Sequence, residues 1–369
     1  MFHWLQYLRK RKHQEKSSLL GFSEGFLPPS QDTFAAIGEL SRVVRNNPDA
    51  VEIYLALGNL FRSQGEIERA IQIRTNLIAR PHLNEHFKAR AWFELGIDFK
   101  RAGILDRAHS ALEQAYGITG DDPAVLQELA RLYADTNDFE KAAGFYAMLG
   151  QTTAQAHYMV KEARKEGTGR NQSSRLIQKA IRIYPGCVEA WLEIICADFE
   201  AGQWNHLQSD LKSALEKVHM DLRFVLLEGL YQFIKKSYTG TGQVFIDENC
   251  AEIIVETLSE FEQNLIFCYY CSIFLKESGQ ITRAREWLEK TLVMDQEFWP
   301  ARLEILDISQ HEQIMTESFK TQLTFFTHKA RLVKKFICRR CGLKREQVFF
   351  LCPRCYSWHS ISFRTMLNE

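Results

Sequence analysis

The sequence has few of the features that mark a disordered, secreted or membrane-spanning chain. Only 8 of the 369 residues are proline and 25% are charged, which is typical of a folded globular protein. The longest uncharged apolar stretch, residues 263–275, has 13 residues, whereas a helix needs about twenty to cross a bilayer. No cleavable signal peptide is visible and the nine cysteines form an odd set, so a disulfide framework is not expected. We therefore predict a soluble, helical protein without a complete transmembrane helix.

An excess of charge of one sign is also lacking. The 46 Lys and Arg residues balance the 46 Asp and Glu residues, so the chain as a whole has no electrostatic attraction for nucleic acid. The charge is uneven locally, because residues 329–364 contain ten Lys or Arg residues and one acidic residue, Glu346.

Catalytic motifs are missing as well. The sequence contains no nucleophile elbow, phosphate-binding loop or paired-carboxylate site, and its histidines lack the helical spacing of a metal site. Neither Gly-x-Gly segment follows a strand and opens a helix, which argues against dinucleotide binding. We therefore predict that the protein is not an enzyme.

What the sequence does contain is a repeat of about thirty-four residues, the length of a helix-turn-helix solenoid unit. Two copies share the same offsets, and a third follows them closely. Their members are Tyr54, Leu57, Gly58, Phe61, Gly65 and Ala70; Trp92, Leu95, Gly96, Phe99, Gly103 and Ala108; and Leu126, Leu129, Ala130, Tyr133, Asn137 and Ala142. Weaker copies contain Ala180 and Pro185; Trp191, Gly202 and Ala214; and Gly279, Ala284 and Leu288.

Each repeat position has a physical reason. Gly58 and Gly96 let a partner helix approach closely, whereas Gly65 and its equivalents lie where the first helix must end, in a conformation that Gly or Asn tolerates. The small alanine of the second helix allows tight contact. Such units bury their apolar faces only by stacking. The pattern is that of tetratricopeptide repeats and predicts an all-α solenoid over residues 31–328.

Two regions interrupt the repeat. Between residues 222 and 262, the Gly-rich residues 238–243 should break any helix and residues 244–246 form a loop or a short extended piece, so we expect an insertion or a worn repeat. Residues 165–174, rich in Gly, Asn and Ser, are expected to form a second long connection.

The C-terminal residues 329–369 contain two pairs of cysteines at metal-binding spacing. Cys338 and Cys341 form one C-x₂-C pair, and Cys352 and Cys355 form the other ten residues later. A borderline metal ion such as zinc or iron takes four thiolates at tetrahedral corners, and each C-x₂-C loop supplies one edge. We predict one zinc or iron ion held by these four residues in a closed site, without an open position for catalysis.

The rest of this segment is expected to fold around the metal. Gly342 follows the first pair and can take the positive φ that such a loop requires, whereas Tyr356 occupies the equivalent place in the second loop. Residues 347–350 are predicted to form a short strand. Apolar cover is predicted from Tyr356, Trp358, Ile361 and Phe363. About forty residues bury too little surface to fold unaided, so metal binding and folding should be one event.

Cys268 and Cys271 also have C-x₂-C spacing, but the repeat places them on the core face of a helix. We interpret them, with Cys187, Cys196 and Cys250, as small apolar core residues.

The N-terminal segment, residues 1–30, begins with an apolar, aromatic octapeptide that is followed at once by Arg9, Lys10, Arg11 and Lys12. Eight residues cannot cross a bilayer, but they could rest at its interface or be the last turns of a longer spanning helix. A frayed basic tail is the alternative.

Residues 55–73, residues 78–83 and the two cysteine pairs with Trp358 together resemble the lipopolysaccharide assembly protein B family (LapB, also called YciM), from about residue 48 to residue 358. The resemblance implies an inner-membrane protein with an N-terminal spanning helix, a cytoplasmic tetratricopeptide solenoid and a rubredoxin-like metal domain. It also implies an adaptor that brings the deacetylase LpxC to the protease FtsH. The family's metal-ligand roles fall on Cys338, Cys341, Cys352 and Cys355. We expect this chain to depart from the family in its N-terminal segment, where the apolar octapeptide is shorter than a full spanning helix.

Two alternatives to an adaptor follow from the C-terminal segment. Arg339, Arg340, Lys344, Arg345 and Arg354, with nearby aromatic residues, could grip phosphates and stack on bases. Iron at the four sulfurs could instead carry electrons. The balanced overall charge favours protein partners over nucleic acid, and contact with the inner-membrane surface is expected from the basic segments.

Overall fold

The computed structural model describes residues 31–46, 50–165, 169–238, 246–312 and 314–366. The basic N-terminal segment and most of the predicted loop near residues 238–246 lie outside the described residues. Within the described ranges, no helix combines the length and the apolar character that crossing a membrane requires.

The chain divides into two compact units between Glu162 and Ala163. This division falls inside the predicted solenoid, and the C-terminal cysteine segment belongs to the second unit. The predicted boundary between residues 328 and 329 stays a prediction.

The first unit is a stack of helical hairpins. Its helices are α1 (Gln31–Asn46), α2 (Val51–Ser63), α3 (Ile67–Ile78), α4 (Glu85–Arg101), α5 (Leu105–Thr119), α6 (Pro123–Asp135), α7 (Phe139–Met148) and most of α8 (Thr152–Ala163). Gly65 and Gly103 end the first helices of their hairpins with φ of 80° and 76°, and Asn137 does the same with φ of 60°. The predicted turn positions are therefore confirmed.

The close approach predicted at two glycines is also confirmed, with a different neighbour at each. A Cβ atom on Gly96 would lie 2.6 Å from Cγ of Leu112, because the backbone of α4 at Gly96 packs against the Leu112 side chain of α5. A Cβ atom on Gly58 would instead lie 3.0 Å from the guanidinium carbon of Arg74. The missing side chain at Gly58 therefore makes room for a buried cation.

This cation is the centre of a charged cluster between α2, α3 and α4. The Nε atom of Arg74 donates to Asp98 at 2.5 Å and its Nη2 atom donates to Asn59 at 2.7 Å. Arg62 bonds Glu94 at 2.6 Å and Asp98 at 3.1 Å. Arg74 and Asp98 are fully buried and the Arg62 side chain is 13% exposed, so two cations and two carboxylates neutralise each other largely out of contact with water.

The second unit continues with paired helices and ends in a small sheet. Its helices are α9 (Arg170–Ile183), α10 (Val188–Glu200), α11 (Trp204–Lys217), α12 (Arg223–Tyr238), α13 (Glu248–Ser259), α14 (Leu265–Glu277), α15 (Ile281–Met294), α16 (Trp299–Glu312) and α17 (Glu317–Arg331), with a single 3₁₀ turn at Met220–Leu222. Gly202 and Gly279 have positive φ at the predicted hairpin turns. Ala180, Ala214 and Ala284 are fully buried.

The two interruptions of the repeat are both more helical than their composition suggests. The region from residue 222 to residue 262 is a worn repeat, since α12 packs on α10 and α14 while α13 packs on α11 and α14. The long connection predicted at residues 165–174 is wrong in its second half. Helix α9 begins at Arg170, because burial of Ile177 and Ala180 outweighs the weak helix propensity of the preceding Asn and Ser residues.

The cysteines outside the C-terminal segment behave as predicted. Cys268 and Cys271 lie on α14 and are fully buried, as are Cys187 and Cys250, while Cys196 is half-buried. Burial raises the pKa of Cys250 to about 12, which keeps that thiol protonated and unreactive.

Charged side chains join three helices of the second unit. Lys276 of α14 contacts Glu304 and Asp307 of α16 at 2.5 Å each, and Arg331 of α17 reaches Asp307 at 2.9 Å. Partial burial alone would raise the pKa of Asp307, but the hydrogen bonds from these cations outweigh it and hold the pKa below its usual value of 3.8.

The C-terminal segment contains a three-stranded antiparallel sheet of order β2-β1-β3, formed by β1 (Phe336–Cys338), β2 (Lys344–Arg345) and β3 (Ile361–Phe363). The strand predicted at residues 347–350 is wrong. This stretch turns back towards the second cysteine pair, and Phe349 is held by burial in the core instead of by pairing in a sheet. Leu351 then forms a single bridge to Trp358.

The sheet packs directly on the helices of its own unit. Phe363 lies 5.9 Å from Phe224 of α12, 6.0 Å from Tyr269 of α14 and 5.8 Å from Phe298, which precedes α16. Phe336 lies 5.7 Å from Phe363 and stacks on Phe224 at 5.8 Å. The sheet and the helices therefore share one apolar core.

Candidate metal centre

The structure brings all four predicted ligands together. The sulfur atoms of Cys338, Cys341, Cys352 and Cys355 lie within 4.8 Å of one another. Cys338 and Cys355 are 3.7 Å apart, and Cys341 and Cys352 are 3.6 Å apart. A tetrahedral ion with metal–sulfur bonds of about 2.3 Å requires an edge of about 3.8 Å between sulfurs, whereas a disulfide requires about 2.05 Å. The geometry therefore fits a four-sulfur metal site and no disulfide.

Two similar loops present these sulfurs. In the first loop, the Gly342 amide donates to the Cys338 carbonyl at 2.9 Å, and Gly342 has φ of 70°. In the second loop, the Tyr356 amide donates to the Cys352 carbonyl at 2.9 Å, and Tyr356 has φ of 53°. The tyrosine thus adopts the same left-handed conformation as the glycine, at a cost of about 1–2 kcal/mol.

Tyr356 does not cover the core as predicted. Its side chain is 65% exposed, because the left-handed backbone directs it away from the sulfurs. Ile361 and Phe363 are buried as expected, and Trp358 is half-buried.

Two serines beside the sulfurs were not identified in the sequence. The Oγ atom of Ser360 lies 3.2 Å from the sulfur of Cys338, and that of Ser357 lies 3.3 Å from the sulfur of Cys355. Ser357 also accepts a hydrogen bond from Arg340 at 3.0 Å. The spacing signal for Ser357 is its position two residues after the last cysteine, but serine is too common for that spacing to be informative.

The electrostatics of the four thiols favour a cation. Burial would raise the pKa of Cys338, but hydrogen bonds from Ser360 and from backbone N–H groups of the first loop outweigh it and lower the pKa to about 6. A hydrogen bond from Ser357 lowers the pKa of Cys355. Desolvation and the neighbouring thiols raise the pKa of Cys341 to about 12. Several thiolates at this distance repel one another, and a divalent ion removes that conflict.

Two of the cationic side chains considered for nucleic-acid binding have partners within the fold. Arg339 donates to Asp221 at 2.7 Å, and this hydrogen bond lowers the pKa of Asp221. Arg340 is bonded to Ser357. Since Asp221 lies in the 3₁₀ turn between α11 and α12, the Arg339 contact also ties the first cysteine loop to the helices of its unit.

Comparison with known proteins agrees with the repeat. Two tetratricopeptide repeat family models match the chain, one over residues 31–73 and the other over residues 101–162. The chain is similar to lipopolysaccharide assembly protein B from Haemophilus influenzae, at 24% identity over 327 residues that cover 84% of this chain and 78% of that protein. The chain is also similar to the Escherichia coli K12 protein of the same name, at 24% identity over 336 residues that cover 86% of this chain and 82% of that protein.

Among solved structures, the chain is similar to a tetratricopeptide repeat protein from Parabacteroides merdae, at 14% identity and a TM-score of 0.35, covering 75% of this chain and 98% of that one. The Naa15/Naa10 complex bound to HypK-THB gives a TM-score of 0.45 at 16% identity, and the match covers 81% of this chain and 46% of that one.

Proposed function

We propose that this protein is a non-catalytic adaptor that binds other proteins through its tetratricopeptide helices, and that it presents the deacetylase LpxC to the protease FtsH as the LapB family does. Similarity to lipopolysaccharide assembly protein B over 84–86% of the chain carries this proposal. Stacked helical hairpins support it physically, because they offer a long surface for another polypeptide. We place the adaptor at the cytoplasmic face of the inner membrane.

We also propose that Cys338, Cys341, Cys352 and Cys355 hold one zinc or iron ion. Four protein ligands leave no open coordination position, so the ion's chemistry there is structural cross-linking. The ion would fix the two cysteine loops, and the sheet between them would then present Phe336 to the helices. The cations around the site offset the net charge of about −2 that four thiolates leave on a divalent ion.

The metal proposal is tested by elemental analysis of the purified full chain. We expect one equivalent of zinc or iron, and its loss in the Cys352→Ser variant. A colourless zinc protein would exclude an electron-carrier role, whereas visible absorption that bleaches reversibly on reduction would favour that role. A metal-free chain whose C-terminal sheet stays folded in strong chelator would overturn the proposal.

The adaptor proposal is tested in a lipopolysaccharide-producing host in which this chain replaces the host's own homologue. We expect the intact chain to keep deacetylase levels low. Removal of residues 329–369, or Cys352→Ser, should raise those levels. Cys196→Ser is the matched control, because Cys196 is half-buried and lies outside the four-sulfur cluster. Unchanged deacetylase turnover in both altered chains would contradict the proposed role.

A further inference from the structure

Helix α17, the last helix before the sheet, turns a polar edge towards its own unit. Thr324 accepts a hydrogen bond from Gln310 of α16. Thr327 is the one buried residue of α17, and Arg331 pairs with Asp307 of α16. A helix that packs on a core normally buries its apolar stripe. In α17 the half-buried apolar residues are Leu323 and Ala330, and the other inward contacts are hydroxyl groups and an ion pair.

The three phenylalanines of α17 are exposed instead of buried. Phe319, Phe325 and Phe326 are 57%, 54% and 64% exposed. Phe319 and Phe326 are seven residues apart and therefore share a helix face. The rings of Phe325 and Phe326 touch edge to face at 5.6 Å, and the Lys329 ammonium lies 5.6 Å from the Phe325 ring centre. We call these four residues the outward face.

Three half-exposed phenylalanines on one helix are unusual for a free surface, because each leaves much of a large apolar side chain in water. Nothing in the described part of the chain covers them. The largest apolar side chains of α17 are thus exposed to solvent, and an external apolar phase would bury them.

Charge distinguishes between the possible occupants. From Lys329, on the outward face, to Arg345 the chain has eight Lys or Arg residues and no acidic residue. Two of them, Arg331 and Arg339, pair with Asp307 and Asp221 within the fold, and the others keep the segment basic. Two copies meeting face to face would bring these like charges together, which is unfavourable. An anionic surface is complementary to them. Phenylalanine flanked by lysine is also the composition of helices that lie in the interface of anionic bilayers.

We propose that α17 lies on an anionic lipid bilayer, with the outward face inserted at the level of the headgroups and acyl chains and with the adjacent basic segment facing the headgroups. This deepens the proposed location at the inner-membrane surface and assigns a lipid-binding element to it. The contact uses α17 and the basic segment that follows it, and it does not require the deacetylase or the protease as a partner.

The proposal is tested with the purified full chain and vesicles of phosphatidylcholine that contain about one-third phosphatidylglycerol. We expect binding that weakens steeply with salt and that is lost on pure phosphatidylcholine. Phe319→Ser combined with Phe326→Ser should lower the vesicle affinity about tenfold or more, because binding scales with inserted apolar area. Val293→Ser is the matched control, since Val293 is 83% exposed but lies on α15.

A local measurement separates α17 from the basic N-terminal segment, which could bind vesicles by itself. Hydrogen exchange of residues 317–332 should slow when anionic vesicles are added, and it should not slow in the double serine variant. Unchanged exchange there, or equal vesicle affinity of the double variant and the intact chain, overturns the proposal.

Light scattering provides a further test. If the outward face mediates self-association, the intact chain is a dimer and the double variant is a monomer, and the lipid proposal is wrong. The adaptor proposal and the lipid proposal can be refuted separately, because the first is tested by deacetylase turnover in cells and the second by vesicle binding.

Discussion

Truncation of Phe363 separates the packing of the C-terminal sheet from the binding of metal. Phe363 lies eight positions after Cys355, outside both cysteine loops, and is 7% exposed. Its ring contacts Phe224, Tyr269, Phe298 and Phe336 at 5.7–6.0 Å. Phe363→Ala should therefore loosen the sheet from the helices and leave the four sulfurs in place.

The size of the effect follows from burial. Replacing a buried phenylalanine with alanine removes its transfer free energy and leaves a cavity, which together cost about 3–5 kcal/mol. The four neighbouring rings come from different elements and cannot collapse together into the space, so we expect the upper half of that range. Phe325→Ala, at an exposed ring on α17, should change stability by about 0.5 kcal/mol or less.

The assay is urea denaturation followed by circular dichroism, combined with metal analysis of the folded variants. Hydrogen exchange of α12 and α14 reports whether the loss of stability is confined to the sheet or extends to the helices. A Phe363→Ala chain that loses less than about 1 kcal/mol would refute the shared core. Loss of metal in proportion to stability would refute the separation of packing from coordination.

Four further predictions concern other parts of the chain. Arg74→Met should destabilise the first unit by about 3–5 kcal/mol, because the buried carboxylates of Asp98 and Glu94 are then left with a single cation, Arg62, between them, and Arg74→Met with Asp98→Leu should recover most of that loss. Denaturation of the single and double variants checks this. If the Arg74→Met variant and the double variant were equally stable, the two charges would not be coupled. Gly96→Ala should cost about 1–3 kcal/mol by overpacking α4 against α5; an unchanged melting temperature would contradict the close approach. Since the pKa of Asp307 is lowered in the folded protein, its ion pairs should stabilise the intact chain above about pH 4, and this stability should be lost as the pH falls through the lowered value. An Asp307→Asn chain should lack that pH-dependent loss in acid titration of the unfolding midpoint. Tyr356→Gly should raise stability by up to about 1 kcal/mol with unchanged metal content, because it relieves a left-handed backbone; a clear decrease would mean that the exposed side chain stabilises the loop.

Much of the fold could be predicted because the repeat positions have single physical causes. Gly65 and Asn137 are needed where a helix ends with positive φ, and Gly96 is needed where a leucine presses on the helix. These requirements act over one hairpin, so a regular spacing reveals them. The four-sulfur cluster was predictable for the same reason, since each C-x₂-C loop is a local structure.

The features that could not be predicted depend on contacts between residues far apart in sequence. The space beside Gly58 is filled by the guanidinium group of Arg74, and nothing in the repeat pattern distinguishes this from ordinary helix packing. Likewise, Val348 and Phe349 have strand-like composition, but burial of Phe349 and the return of the chain to the second cysteine loop prevent pairing. The exposure of the three phenylalanines of α17 is visible only when the contacts of this helix with α16 are known.

The position of the C-terminal sheet gives the proposed metal a role beyond its own forty residues. In a solenoid each hairpin contacts only its neighbours, so curvature is set by a series of weak, adjacent interfaces. Phe363 contacts Phe224 in α12, Tyr269 in α14 and Phe298 at the start of α16, which belong to three successive helical pairs. The sheet therefore adds a contact that spans several hairpins at once and restrains their relative angles. A surface that must hold another protein in a fixed orientation benefits from such a restraint, because less conformational freedom is lost on binding. On this reasoning, removal of the metal should weaken partner binding even where the partner touches no residue of the cysteine loops.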